Sequence, residues 1–135
     1  MIVREASLAF RVIREGKDEP LDTPQKIADY VRDAFDPDPT CEWFICIPMN
    51  VKNVPFGRVL ISKGTACNCL VNPREVLRPV ILSNACGFAV AHNHPSGQAA
   101  PSRADLQVTR KLRESAKIMG VEFLDHIIVG DPDSE

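Results

Sequence analysis

Gly87-Phe88-Ala89-Val90-Ala91-His92-Asn93-His94-Pro95-Ser96-Gly97 is an apolar run that ends in two histidines and two chain breakers. A short apolar stretch without a polar interruption predicts a strand buried on both faces, and Pro95 and Gly97 stop it. His92 and His94 come at its carboxyl end. Side chains two apart on a strand share a face, so both imidazoles point the same way.

The next element supplies a possible partner for them. The polar stretch up to Pro101 is a loop, and Ser102 begins a helix. At 3.6 residues per turn, Asp105, Val108, Leu112, Ala116 and Met119 form one stripe, with Arg103, Arg110, Glu114 and Lys117 opposite. Asp105 therefore faces inward, one turn from the helix start. A carboxylate on an apolar face is expensive to bury unless it is paired or ligates a metal. Two imidazoles and one carboxylate suit zinc, and three protein ligands leave a fourth position for water or substrate. Zinc lowers the pKa of a bound water to about 7, which provides a nucleophile near neutral pH. Residue chemistry alone leaves the base that takes the proton unassigned. A plainer reading treats Ser102-Arg103-Ala104-Asp105 as an ordinary helix start, with Ser102 as cap and Asp105 favoured by the helix dipole. It accounts for Ser102 but not for two aligned histidines.

The remaining elements follow from breakers and periodicity. Thr23 caps a helix from Pro24 through Phe35, with Ile27, Val31 and Phe35 on its inner stripe and Asp36-Pro37-Asp38-Pro39 as its stop. Strands are predicted at Glu42 to Ile47, Phe56 to Ser62 and Thr65 to Val71, with Lys63-Gly64 as a hairpin turn, and a further strand at Ser7 to Arg14 precedes a turn near Gly16. Pro73 starts a second helix that carries Val76, Leu77, Val80 and Ile81 and is bent at Pro79. Phe88 to His92, the helix from Ser102 and a strand from Val121 to Val129 complete the set. Helices alternating with strands imply a layered α/β domain.

Composition sets the scale. A chain of 135 residues, 44% hydrophobic and 25% charged, is expected to be one domain with a real core. Acidic and basic residues interrupt every apolar run near the start, so neither a signal peptide nor a membrane span is predicted and a cytoplasmic location is expected. The five cysteines, Cys41, Cys46, Cys67, Cys69 and Cys86, are then reduced thiols. Cys67-Asn68-Cys69 lacks the second pair that a structural zinc site needs.

His92-x-His94, seven residues, then Ser102-x-x-Asp105 resembles the signature of the JAMM (MPN-plus) zinc metalloproteases. The text His92-Asn93-His94-Pro95-Ser96-Gly97 with Pro101-Ser102-Arg103-Ala104-Asp105, the segment Asn72-Pro73-Arg74-Glu75-Val76, and Leu124-Asp125-His126-Ile127-Ile128-Val129-Gly130 resemble the bacterial RadC branch. The likeness runs from about Thr23 to Gly130. It implies a single three-layer α/β domain, a mixed sheet flanked by helices of the cytidine-deaminase-like type. It implies Zn²⁺ on His92, His94 and Asp105. It also implies a glutamate at the head of an early strand as general acid and base, a place that Glu42 fills, and a Ser102 hydroxyl that supports the reacting oxygen. The helix-hairpin-helix region common in that branch has no room before Thr23, so a minimal or truncated catalytic domain is expected.

Glu75 is the rival base, although a carboxylate after Pro73 also fits a helix first turn paired with Arg74 or Arg78. His126 reads as a hydrogen-bonded histidine of the last strand rather than a ligand. Zinc deaminases need His-x-Glu with a later Pro-Cys-x-x-Cys, and zincins need His-Glu-x-x-His; neither is present. The leading expectation is a zinc-dependent hydrolase of a peptide, isopeptide or related amide bond, with a peptide or protein as substrate. The alternatives are a nucleic-acid-associated module, as the branch's association with DNA repair implies, and a zinc-binding scaffold without turnover. A net charge of −2 argues for weak nucleic-acid binding at most, despite the basic outer face of Arg103, Arg110, Lys111, Arg113 and Lys117.

Overall fold

Two neighbouring strands whose central positions are apolar on both faces force helices onto both faces of the sheet. In β1 (Glu42–Met49), Phe44 and Cys46 alternate with Ile45, Ile47 and Met49; in β3 (Gly87–Asn93), Phe88 and Val90 alternate with Ala89 and Ala91, and all nine are buried. One set packs with Ile27, Ala28 and Val31 of α1 (Pro24–Val31). The other packs with Val76, Leu77 and Val80 of α2 (Pro73–Leu82) and with Leu112 and Ala116 of α3 (Arg103–Met119). The result is a three-layer α/β/α arrangement, as expected, seen in a computed structural model that describes residues 1–64 and 71–130.

β2 (Val59–Gly64) and β4 (Glu122–Val129) complete a four-stranded sheet of order β2-β1-β3-β4. β1 runs antiparallel to both β2 and β3, whereas β3 and β4 are parallel, so the sheet is mixed. Thr23 caps α1 by accepting from the Lys26 N–H, and a 3₁₀ turn, Arg32–Phe35, carries the helical path to Phe35. Asn72 caps α2, which continues through Pro79. No helix among the described residues is long and apolar enough to cross a membrane.

Four sequence expectations need correction. Ser7 to Arg14 forms no strand: the first twenty residues carry neither helix nor strand, and Phe10 instead lies against Gly57, where an added Cβ would meet its ring at 2.5 Å. Phe56 to Arg58 precede β2 rather than belonging to it. Lys63 and Gly64 are not a turn but the last rungs of β2, opposite Trp43 and Glu42, with the Lys63 ammonium 4.7 Å from the Trp43 ring centre. That cross-strand cation–π contact favours pairing where the Lys-Gly dipeptide suggested a reversal. Met119, placed on the inner stripe of α3, is 49% exposed because the helix ends there at Gly120, beyond its contact with the sheet. The predicted strand positions Thr65 to Leu70 lie outside the described residues.

The chain ahead of β2 is fastened to the first helical segment by charge. Arg58 donates to Asp33 at 2.6 and 3.2 Å and to the Tyr30 carbonyl at 2.9 Å, and Arg14 stands 3.3 Å from the same carboxylate. The hydrogen bonds from Arg58 hold the Asp33 carboxyl below its ordinary value. The unfolded chain therefore takes up this proton at higher pH than the folded one. The stabilisation is complete above the ordinary carboxylate pKa, about 3.9, and is lost as pH falls through the lower folded value. Asp33→Asn is expected to cost about 0.2–1 kcal/mol at pH 7, in keeping with a half-exposed pair, and progressively less below about pH 4. Urea midpoints of parent and variant at both pH values check this; a cost that does not shrink in acid contradicts it.

Candidate metal centre

The register of the central strands brings the histidines and the acidic residues to one end of one sheet face. Phe44 pairs with His92 across β1 and β3, and the two rings stack at 5.7 Å and 15°. Glu42 lies two residues before Phe44 and so shares that face. His94 sits just past β3, and its placement depends on the loop. Its N–H reaches the Val129 carbonyl at 3.3 Å, and Gly97 returns its own N–H to the His94 carbonyl at 2.9 Å with φ 82°, a conformation that favours glycine. Ser102 caps α3 in a capping box: its hydroxyl oxygen accepts from the Asp105 N–H at 3.1 Å, while its own N–H donates to Asp105 Oδ2 at 2.8 Å. The cap therefore aims the carboxylate as well as starting the helix.

These elements bring Glu42, His92, His94 and Asp105 together, with one potential ligand atom from each within 4.8 Å of all the others. His92 Nε2 is 3.0 Å from His94 Nε2, 3.2 Å from Asp105 Oδ1 and 3.6 Å from Glu42 Oε1, and His94 Nε2 is 3.0 Å from Asp105 Oδ2. Ligands bonded tetrahedrally at about 2.0–2.1 Å lie roughly 3.3 Å from one another, so the spacing suits a small cation at their centre. The tautomer of His94 points the same way. Its Nδ1 is 2.8 Å from the Gln98 carbonyl, which can only accept, so in the neutral ring Nδ1 carries the proton and Nε2 presents a lone pair. A lone pair facing a carboxylate oxygen at 3.0 Å is repulsive until a cation sits between them. The donor set of imidazole nitrogens and carboxylate oxygens thus fits zinc.

Electrostatics differ among the four. Burial, reinforced by neighbouring His126, holds His92 well below the ordinary histidine value, which keeps its ring neutral and available as a ligand. Burial raises Glu42 above the ordinary glutamate value, a rise that His94 opposes and the Asp105 charge supports. For Asp105, burial pulls upward but is outweighed by hydrogen bonding from the Ser102 backbone and by the two histidines, leaving its carboxyl below the ordinary value. Asp105 thus stays ionised beside a carboxyl that holds its proton more readily.

Glu75 is not part of this group. It lies in the first turn of α2, 3.6 Å from Arg78, as its helix-end reading expects. His126 sits in β4 and touches the His92 ring from behind, away from the ligand atom. Sequence reasoning missed Asn93. Its side-chain oxygen accepts from the Trp43 N–H at 2.7 Å and its amide donates to the Cys41 carbonyl at 2.9 Å, clasping β1 on both sides of Glu42. Asn93→Ala leaves two part-buried backbone groups without this partner. It is expected to destabilise the fold by about 1–3 kcal/mol while leaving His92, His94 and Asp105 in place. Thermal melting alongside zinc content checks this; an unchanged melting temperature contradicts it.

A layered α/β domain with two histidines and two carboxylates converging at one end of its sheet is a domain with a possible metal-binding site. The chain belongs to the RadC-like JAB domain family, whose model matches residues 21–134. Relatives with the designation UPF0758 are similar to it. One from Geobacter sulfurreducens is 39% identical over 81% of this chain and 47% of its own length, and one from Rubrobacter xylanophilus is 46% identical over 67% and 40%. One from Staphylococcus aureus is 40% identical over 80% of this chain and 47% of its own length. The chain spans about half the length of these relatives or less.

Proposed function

We propose that this domain is a zinc-dependent hydrolase that cleaves a peptide, isopeptide or related amide bond. The observation that carries the reading is the approach of His94 Nε2 to Asp105 Oδ2 at 3.0 Å with the Nδ1 proton already committed to Gln98, beside His92 Nε2 and under Glu42. His92, His94 and Asp105 would hold zinc, which supplies Lewis acidity and lowers the pKa of bound water to about 7. Glu42 carries the proton. Its raised pKa suits it to accept a proton from the attacking water and then hand it to the departing amine. Ser102, whose oxygen already accepts from Asp105, keeps its hydroxyl proton to donate to an oxyanion formed beside the helix start.

A cavity of about 500 Å³ has Asn93, His94, Pro95 and Gly97 along one side and Phe35 and Val129 among its apolar walls. It is a suitable bed for the chain flanking the scissile bond. The larger cavity, about 980 Å³, lies under the N-terminal segment beside Phe10, Tyr30 and Trp43 and includes none of the four clustered residues. Incubation with a panel of peptide, lysine-isopeptide and simple amide substrates tests the reading. Cleavage that stops with a chelator and returns with zinc is expected; no cleavage across the panel by zinc-loaded protein favours the scaffold. The acidic balance of the chain keeps nucleic-acid binding weak and salt-dependent.

A further inference from the structure

The back of the His92 ring is tied into a hydrogen-bond chain that no step above uses. His92 Nδ1 lies 2.8 Å from His126 Nε2, His126 Nδ1 lies 2.6 Å from Thr109 Oγ1, and the Thr109 hydroxyl donates to the Asp105 carbonyl at 3.0 Å. Thr109 stands one turn after Asp105 in α3, so the chain begins at one candidate ligand and ends on the backbone of another. With the Thr109 hydrogen on the Asp105 carbonyl, the direction of every other proton follows. A hydroxyl has one hydrogen, and a carbonyl can only accept it. In that polarity Thr109 Oγ1 accepts from His126 Nδ1–H, which leaves His126 Nε2 as acceptor for His92 Nδ1–H. The last consequence is a bare Nε2 on His92, at the atom 3.2 Å from Asp105 Oδ1.

A register shift in the sheet makes this possible. Phe88 pairs with Phe123, but Val90 pairs with His126, so β4 carries one extra residue between the two rungs. Phe123 packs against Phe88 on the α2–α3 side, and strict alternation from it would turn His126 to the other face. The irregularity brings His126 back to the His92 side, a re-aiming that β-bulges perform. The Asp125 side chain accepts the His126 N–H at 2.8 Å at the same point.

We propose that His126 and Thr109 are positioning residues that lock His92 in its Nδ1–H tautomer, presenting Nε2 to a divalent metal ion before the ion arrives. The proposal rests on the metal-site reading above but not on the reaction. The reverse polarity, with Thr109 donating to His126, would place a proton on His92 Nε2 and block ligation. Removing such a partner of a ligating histidine weakens metal binding by about 10–100-fold.

The test uses the full chain in two measurements. Two-bond ¹H–¹⁵N spectra of the metal-free protein at pH 7.5 report the tautomer of each ring; Nδ1–H is expected at both His92 and His126, and Nε2–H at either overturns the proposal. This measurement needs no variant, metal or substrate. Zinc competition against a chromophoric chelator then compares Thr109→Val, which keeps the shape but lacks the hydroxyl, with Thr109→Ser, which restores it. Thr109→Val is expected to bind zinc about 10–100-fold more weakly with the His94 tautomer unchanged, and Thr109→Ser to match the parent. Equal zinc affinity in Thr109→Val and the parent overturns the proposal, as does weakening in Thr109→Ser equal to that in Thr109→Val. Tight zinc binding by the parent with no amide cleavage would refute the hydrolase reading and leave the tautomer lock standing.

Discussion

Glu42→Gln is expected to lower amide hydrolysis by about 10² to 10⁴ while leaving zinc content and melting temperature close to those of the parent, the usual loss for a positioned acid–base group. The amide keeps the size of the carboxylate and its place on β1 but cannot take a proton. Glu42 is 19% exposed and its oxygen lies 3.6 Å from His92 Nε2, close enough to share a water with the cluster without the shorter contacts that Asp105 makes. Glu75→Gln, by contrast, removes only a helix-end charge paired with Arg78 and is expected to leave turnover unchanged. Both are to be assayed on one substrate with zinc measured in parallel. Parent-like turnover in Glu42→Gln contradicts the acid–base assignment.

His94→Ala and Asp105→Ala are expected to abolish turnover altogether, since each removes one of the three proposed ligands and little redundancy remains. The two should differ in their side effects. His94 follows the end of β3 in a loop, so its loss empties one coordination position. Asp105 also accepts the Ser102 N–H that closes the capping box, so Asp105→Ala should add about 0.5–2 kcal/mol of helix destabilisation. Elemental analysis and melting of the metal-free variants separate the two effects. Full zinc in either variant would remove that residue from the ligand set.

The central strand, the helix that carries Asp105 and the convergence of His92, His94 and Asp105 were legible because local chemistry and tertiary placement coincide there. A run such as Phe88-Ala89-Val90-Ala91 has no polar side chain to present to water, and an inward Asp105 needs a partner wherever the helix packs. The place of Glu42 beside the cluster was legible only through family likeness, since nothing in Cys41-Glu42-Trp43 sets it apart from a solvated strand edge. Asn93 and Thr109 were opaque for a different reason. Their partners, Cys41 and Trp43 for one and His126 for the other, lie far along the chain, and only the strand register and the shift between Phe88 and Val90 bring them into contact. Ser7 to Arg14 failed in the opposite direction: its alternation fits a strand, but the segment joins neither edge of the sheet, and Phe10 is engaged over Gly57 instead. The Lys63-Gly64 dipeptide misled because turn chemistry was read without the facing Trp43 ring.

The most direct test of the account is a titration of zinc into chelator-stripped protein with amide hydrolysis as the readout. Activity should be absent at the start, rise linearly with added zinc and level off at one equivalent per chain, because Glu42, His92, His94 and Asp105 form one cluster. Hydrolysis that persists in the stripped protein, or that ignores added zinc while the chain binds it, would contradict the account.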